Sequence, residues 1–253
     1  MRSFSLFVTA PVAPVPLFVP SVLLRVATRV CPVIIVTALC LPGVHGQDYI
    51  NLIDADMTHW MHPDGKDVAP GWAVEPGGVL HLKPKAGHIV SREEFGDFEL
   101  WFEFRISEKG NSGIKYRVRQ YDKAWLGLEY QILDDAAFPK LTRDHLTASL
   151  YDLVLPRTES TRFNPSGEFN VGKIRVENGV VSHWINGQLT IRTPLQGPSW
   201  EGHVAASKFR NREQFGQNTM GRLMLTDHNS EVWYRNVFVR RLNTAACACV
   251  SQN

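Results

Sequence analysis

Cysteine is scarce in this chain of 253 residues, where only Cys31, Cys40, Cys247 and Cys249 occur. None falls between positions 40 and 247, which excludes a disulfide framework in that interval and a cysteine-built zinc site there. The remaining Cys-x-Cys pair lies in a small-residue tail and is by itself a poor zinc site. An excess of one charge is also missing. The formal net charge is +2, and Arg2, Arg25 and Arg29 all fall within the first 46 residues, so the rest is nearly neutral and nothing points to a nucleic-acid partner. No apolar run is long enough to give a stable membrane span: the run over 30–41 is too short, and Pro11, Pro14, Pro16 and Pro20 break the block before it. Long amphipathic helical periodicity and internal repeats are absent too, which argues against bundles and solenoids.

What is present at the N-terminus reads as export machinery. Arg25 and Arg29 precede the apolar run, and Val44-His45-Gly46 supplies small residues before Gln47, so residues 1–46 are expected to be a leader cleaved after Gly46. Its unusual length is explained either by a start downstream of Met1 or by a long n-region. A lipid anchor on Cys40 is disfavoured by the bulky Leu39 before it. The expected product is a secreted or periplasmic protein with one domain over 48–243 and a flexible tail over 244–253.

That domain is written in β-periodicity. Over 97–106, Phe98, Leu100, Phe102, Phe104 and Ile106 alternate with Glu99, Trp101, Glu103 and Arg105, giving one core face and one polar face. Shorter runs at 78–82, 114–118, 128–133, 173–177, 180–185, 222–225 and 231–241 are bounded by Gly, Asn, Asp and Pro clusters. Asn178-Gly179 and Asn186-Gly187 are signals for two-residue hairpin turns, because each pair supplies the two positive-φ positions of a primed turn. The spacing favours an all-β antiparallel sandwich or jelly roll over any parallel α/β arrangement. Amides, carboxylates and one imidazole sit at the edges of these segments, the pattern of a sheet-borne site for a sugar-sized ligand.

Several blocks of this chain together resemble the 3-keto-disaccharide hydrolase domain family. They are Phe95-Gly96-Asp97-Phe98-Glu99-Leu100, Gly110-Asn111-Ser112-Gly113-Ile114, Glu129-Tyr130-Gln131-Ile132-Leu133-Asp134-Asp135, Ser149-Leu150-Tyr151-Asp152-Leu153, Ser207-Lys208-Phe209, Asp227-His228 and Tyr234-Arg235-Asn236-Val237. The resemblance covers nearly the whole chain after the leader and implies a concanavalin-like jelly roll. One departure is Thr226, where the family usually has Gln before the Asp-His pair.

Strand parity places Glu129 and Gln131 on one face and Leu128, Tyr130 and Ile132 on the other. By the same parity Thr226 shares a face with His228, and Lys115, Arg117 and Arg119 share one after an Asn-Ser-Gly turn. Glu129 is read either as a catalytic or ligand-contacting carboxylate or as a strand carboxylate paired with Arg117. His228 is read as functional, against a structural imidazole satisfying a loop. Asp134 and Asp135 can cap a turn, bind a cation or contact a hydroxyl. Tyr151 is a core residue or a substrate contact, and Trp125, beside a loop-like stretch, is the best sugar-stacking candidate among seven tryptophans. Asn111 and Gly113 can both form a turn, and for Gly113 the turn is preferred.

The chemistry implied by the resemblance is cleavage of a glycoside already oxidised at C3. The ketone acidifies the C2 proton, a base removes it, the C1 substituent leaves by β-elimination and hydration completes net hydrolysis. In that scheme His228 is the base, Asp227 orients it, and Glu129 or Asp134 serves as acid or holds a divalent cation. Asn111, Arg117, Gln131 and Tyr151 would position hydroxyls. Two rivals stand beside it: an ordinary glycosidase with Glu129 and Asp134 as its carboxylates, and a noncatalytic carbohydrate-binding module.

Overall fold

The computed structural model describes residues 49–157 and 163–242, so the leader, its cleavage site and the Cys247–Cys249 pair lie outside the described residues. In chain order the elements are β1 (Ile50–Asn51), β2 (Trp60–Met61), β3 (Trp72–Glu75), β4 (Val79–Leu82), β5 (Ile89–Phe95), β6 (Phe98–Ile106), β7 (Asn111–Tyr121) and β8 (Ala124–Leu133). They continue with β9 (Asn170–Glu177), β10 (Val180–Ile185), β11 (Gln188–Pro194), the short helix α1 (Pro198–Ala206), β12 (Gly221–Leu225) and β13 (Val232–Arg241). Among the described residues no helix is long and apolar enough to cross a membrane.

All pairings between these strands are antiparallel, and they form two sheets. The larger runs β11-β10-β9-β6-β13-β4-β3, with β1 also paired to β13, and the smaller runs β2-β5-β12-β7-β8. Their inner faces form one core, in which Phe98, Leu100, Phe102 and Phe104 of β6 meet Ile114 and Tyr116 of β7 and Leu128, Tyr130 and Ile132 of β8. Phe102 stands edge-on to Tyr130 with ring centroids 5.1 Å apart. This is the antiparallel sandwich expected from the strand pattern, with the concanavalin-like jelly-roll architecture that the resemblance implies. Both Asn-Gly pairs make the tight turns expected of them: Asn178 and Gly179 take φ of 49° and 72°, Asn186 and Gly187 of 47° and 81°, and they join β9 to β10 and β10 to β11.

Two local expectations need correction. Asn111-Ser112-Gly113 is strand rather than turn, since β7 begins at Asn111 and pairs with Leu133 of β8. The chain reverses just before, where Lys109 takes φ of 55° and Gly110 N donates to Ser107 O at 3.0 Å. Further along β7 the register to β8 shifts between Tyr116 and Arg119, and Arg117 takes φ of 51°. An extra residue inserted there reverses which face the following side chains occupy. Lys115, Arg117 and Arg119 therefore do not share the face that simple alternation gives them.

Candidate functional site

The site lies on the outer face of the five-stranded sheet, the face opposite the core. On β8 the alternation that sends Leu128, Tyr130 and Ile132 inward turns Glu129 and Gln131 outward, and on β7 it turns Asn111 and Lys115 outward beside them. Residues 148–151 run along the free edge of β8: Ala148 N donates to Gln131 O at 2.9 Å and Tyr151 N to Glu129 O at 3.0 Å. That edge pairing brings Tyr151 over the sheet and leaves Glu129 only 7% exposed. The result is a cavity of about 90 Å³ lined by Asn111, Lys115, Glu129, Gln131, Tyr151, Lys208 and His228. Sites that enclose a whole small molecule hold roughly 300–1,000 Å³, so this cavity can admit one edge of a small ligand but not the whole of it.

Gly113 explains how the Glu129 carboxylate reaches its position. It lies next to Gln131 in the cross-strand register, and a Cβ built on it would stand 2.4 Å from Glu129 Oε1. The carboxylate thus occupies the space that a side chain at 113 would fill. Gly113→Ala should fold with nearly parental stability, because the atom displaced is the end of a flexible side chain. Its turnover should fall by about 10²-fold, the usual effect of a 1 Å misplacement of a reacting group. Unchanged kinetics at normal stability would show that Glu129 takes no part.

Lys115 Nζ stands 3.9 Å from Glu129 Oε2. Burial raises the Glu129 carboxyl above the ordinary carboxylate value, and the fields of Lys115 and Lys208 only partly oppose this. His228 moves the other way, down to about 4, first because burial disfavours its cation and then because Lys115 and His88 add positive field. At neutral pH its imidazole is uncharged and able to accept a proton. His88 stacks edge-on to His228 at 6.0 Å between centroids and accepts the Asp227 backbone N–H on Nδ1 at 2.9 Å. In the neutral ring that bond leaves the proton on Nε2. The Asp227 carboxylate accepts from Gly87 N at 2.9 Å and Asn229 N at 2.7 Å. It ties the segment carrying His88 to the loop carrying His228 and makes no hydrogen bond to His228, so the expected direct orientation of His228 by Asp227 is replaced by an indirect one.

Tyr151 and Lys208 form the other wall. Lys208 Nζ lies 4.1 Å from the centroid of the Tyr151 ring, and Lys208 N donates to Asp152 Oδ2 at 2.7 Å. His145 packs edge-on against Tyr151 at 4.9 Å and contacts Asp152 Oδ1 through Nε2 at 3.1 Å. Asp144, His145 and Asp152 bring three ligand-type atoms within 4.8 Å of one another, which makes them the cluster of the described residues that could hold a cation. Glu129 and Asp134, read from sequence as an acid or a cation ligand, are not members of it.

Three expected site residues lie elsewhere. Arg117, at the bulge, is buried against Asp97 (3.0 Å) and the carbonyls of Gly96 and Asn218, a structural ion pair that does not reach the cavity. The partner of Glu129 is therefore Lys115 rather than Arg117. Asp134 accepts from Lys109 N at 2.8 Å and closes the turn before β7, so turn capping is the role that its contacts fill. Trp125 packs with Met61 over Val90, Val118 and Met224, a small apolar cluster separate from the sandwich core. Thr226 is fully buried, with Oγ1 donating to Gly113 O at 3.2 Å, so it clamps β12 to β7.

The expected residues that converge are Asn111, Glu129, Gln131, Tyr151 and His228, and Asp227 supports the last. Lys115, Lys208 and His88 join them without having been assigned a role from sequence. Parity alone put Lys115 on the right face, and only the bulge showed that it differs from Arg117. A larger cavity of about 750 Å³ lies on the outer face of the eight-stranded sheet, against Tyr49, Trp101, Val171 and Phe238. It is mostly apolar and its carboxylate, Glu103, is already engaged by Arg235 at 2.7 Å, so the smaller, ionisable cavity is the better candidate for chemistry.

The family model of the 3-keto-alpha-glucoside-1,2-lyase-like domain matches residues 48–240. A 3-keto-disaccharide hydrolase from Bacteroides thetaiotaomicron is 30% identical over 242 residues, covering 81% of this chain and 82% of that protein. A candidate glycosyl hydrolase from Parabacteroides distasonis, solved by crystallography, superposes with a TM-score of 0.69 at 28% identity and covers 77% of this chain and 94% of its own. A second one from the same organism, at 25% identity and a TM-score of 0.56, covers 77% and 84%.

Proposed function

Because the chain belongs to the 3-keto-alpha-glucoside-1,2-lyase-like domain family, we propose that it is a carbohydrate-active enzyme that cleaves 3-keto-glycosides by removing the C2 proton and eliminating the C1 substituent. The observation that carries this reading is a neutral imidazole and a carboxyl whose proton affinity is raised by burial lining one cavity, His228 and Glu129. Elimination needs a base and an acid at once, and this environment favours the neutral form of both groups, the imidazole as base and the carboxylic acid as donor.

In this scheme the imidazole of His228 takes the proton from C2 and the C2–H electron pair moves into an enolate spread over C2, C3 and the C3 oxygen. The pair then forms the C1–C2 double bond as the C1–O1 bond breaks, and Glu129 gives its proton to the departing oxygen. Water adds across that double bond, its oxygen to C1 and its proton to C2, which makes the net change a hydrolysis. Asn111, Gln131 and Tyr151 hold the hydroxyls and fix the ring against the base. The proton affinity of His228, low in the free cavity, rises as the enolate charge develops beside it.

Incubating the mature domain with a 3-keto-disaccharide and with its unoxidised parent, and following both by mass spectrometry, tests the proposal. Cleavage of the keto substrate alone is the expected result. Equal cleavage of both means ordinary hydrolysis, and binding without cleavage means a noncatalytic sugar module. Export is the second half of the proposal, resting on the Arg-flanked apolar run and the small residues before Gln47. N-terminal sequencing of secreted or periplasmic protein should begin near Gln47, and an intact leader on cytoplasmic protein would reject it.

A further inference from the structure

We infer that Lys115 is a catalytic residue of this site, its ammonium receiving the oxygen that becomes negative when the C2 proton leaves, the C3 oxygen of the 3-keto sugar. The inference rests on the function proposed above and names the group that supplies its electrophilic half.

The two cations of β7 differ in their partners: Arg117 is buried and Lys115 half-buried. Arg117 is satisfied: its guanidinium reaches Asp97 at 3.0 Å and the Asn218 carbonyl at 3.2 Å. Lys115, two residues earlier, has a side chain 16% exposed, yet its one carboxylate within 4.0 Å among the described residues is Glu129 at 3.9 Å. A charge-assisted N–H···O bond closes to about 2.7–2.9 Å. The half-buried ammonium of Lys115 therefore lines the cavity without a short protein acceptor, an arrangement that improves once a negative oxygen enters beside it.

Its location suits that oxygen. Cross-strand, Lys115 sits between Glu129 of β8 and Met224 of β12, and it lines the cavity together with Asn111, Glu129, Gln131 and His228. Its field acts on His228 and His88 on one side and on Glu129 on the other, so the ammonium stands among the groups assigned to base and acid. An enolate charge that develops there meets a fixed cation in a small, partly enclosed cavity, where such stabilisation is stronger than in bulk water. Lys115 keeps its own protons throughout: it donates a hydrogen bond to the C3 oxygen, while the proton taken from C2 rests on His228 and the one given to O1 comes from Glu129.

Enolisation can be separated from bond cleavage with 1-deoxy-3-keto-glucose, which has an acidic C2–H and no leaving group at C1. Wild-type protein in D2O should exchange that hydrogen for deuterium, and Lys115→Gln should slow the exchange by about 10² to 10³, the usual loss for one oxyanion donor. Affinity for the unoxidised disaccharide should stay within about twofold of wild type, because that ligand develops no charge at C3. Lys115→Arg, which keeps the cation, should recover part of the exchange, and it carries the test alone if Lys115→Gln does not fold. The acid limb of the pH profile should also move upward in Lys115→Gln, since a cation that depresses the His228 imidazole is gone.

Wild-type exchange rates in Lys115→Gln, or an Arg variant no better than the Gln variant, would overturn the inference and leave the proposed function standing. Equal loss of parent-disaccharide affinity would also overturn it by reducing Lys115 to a binding or structural group. A wild-type protein that neither exchanges nor cleaves removes the proposed function and this inference together.

Discussion

Replacing His228 with alanine should slow turnover of a 3-keto-glucoside by about 10² to 10⁴, the usual contribution of a general base, while the variant still folds and still binds the sugar. The residue lies just beyond β12, on a loop tied down by the Asp227 carboxylate through Gly87 N and Asn229 N. The loop should therefore keep its shape without the imidazole. Wild-type activity should fall on the acid side only as the pH drops through about 4, where this ring gains its proton, rather than near the ordinary imidazole value of 6.5. Steady-state kinetics of the variant alongside a melting curve checks the first part, and a kcat/KM profile of the wild type checks the second. Full turnover in a stable His228→Ala protein would move the base elsewhere, and Glu129 would be next.

Phe102→Ala should destabilise the protein by about 3–5 kcal/mol, the range for truncating a buried phenylalanine. The ring is 1% exposed. It stands edge-on to Tyr130 and lies across Gly172, where a Cβ would come within 2.2 Å of its Cζ. Emptying the position removes contacts with both sheets, and Gly172 beside it has no side chain with which to fill the cavity left behind. Urea denaturation should show the shift in midpoint with an unchanged slope. A midpoint equal to the parent's would contradict the packing of β6 described above.

The fold was legible because its strands alternate cleanly. β6 could be read residue by residue, both Asn-Gly turns appeared as hairpins, and the run at 231–241 reappears as β13 (Val232–Arg241). β5 escaped notice because Ser91, Arg92, Glu93 and Glu94 interrupt its apolar pattern, two of them exposed where the strand leaves the core. β3 and β11 are short or mixed for the same reason. On the site side, parity was enough to turn Glu129 and Gln131 away from the core. It failed at Arg117, because a single inserted residue in β7 reverses the facing of everything after it and leaves no mark in the amino-acid pattern. Contacts formed by chain segments far apart in sequence were likewise invisible. Lys208 reaches Tyr151 from beyond α1, and His88 meets Asp227 across 139 positions.

The fit of the Glu129 carboxylate against Gly113 has a consequence for how this site can change over generations. Glu129 and Gly113 are two halves of one shape, so a codon change at 113 is tested against the carboxylate already in place. Neither position can drift alone without disturbing the other. A library that randomises 113 by itself and selects for activity should return glycine, whereas one that varies 113 and 129 together can return new pairs. A lineage that came to use a shorter acid at 129 would be free to acquire a side chain at 113, and the two substitutions would be inherited as a set.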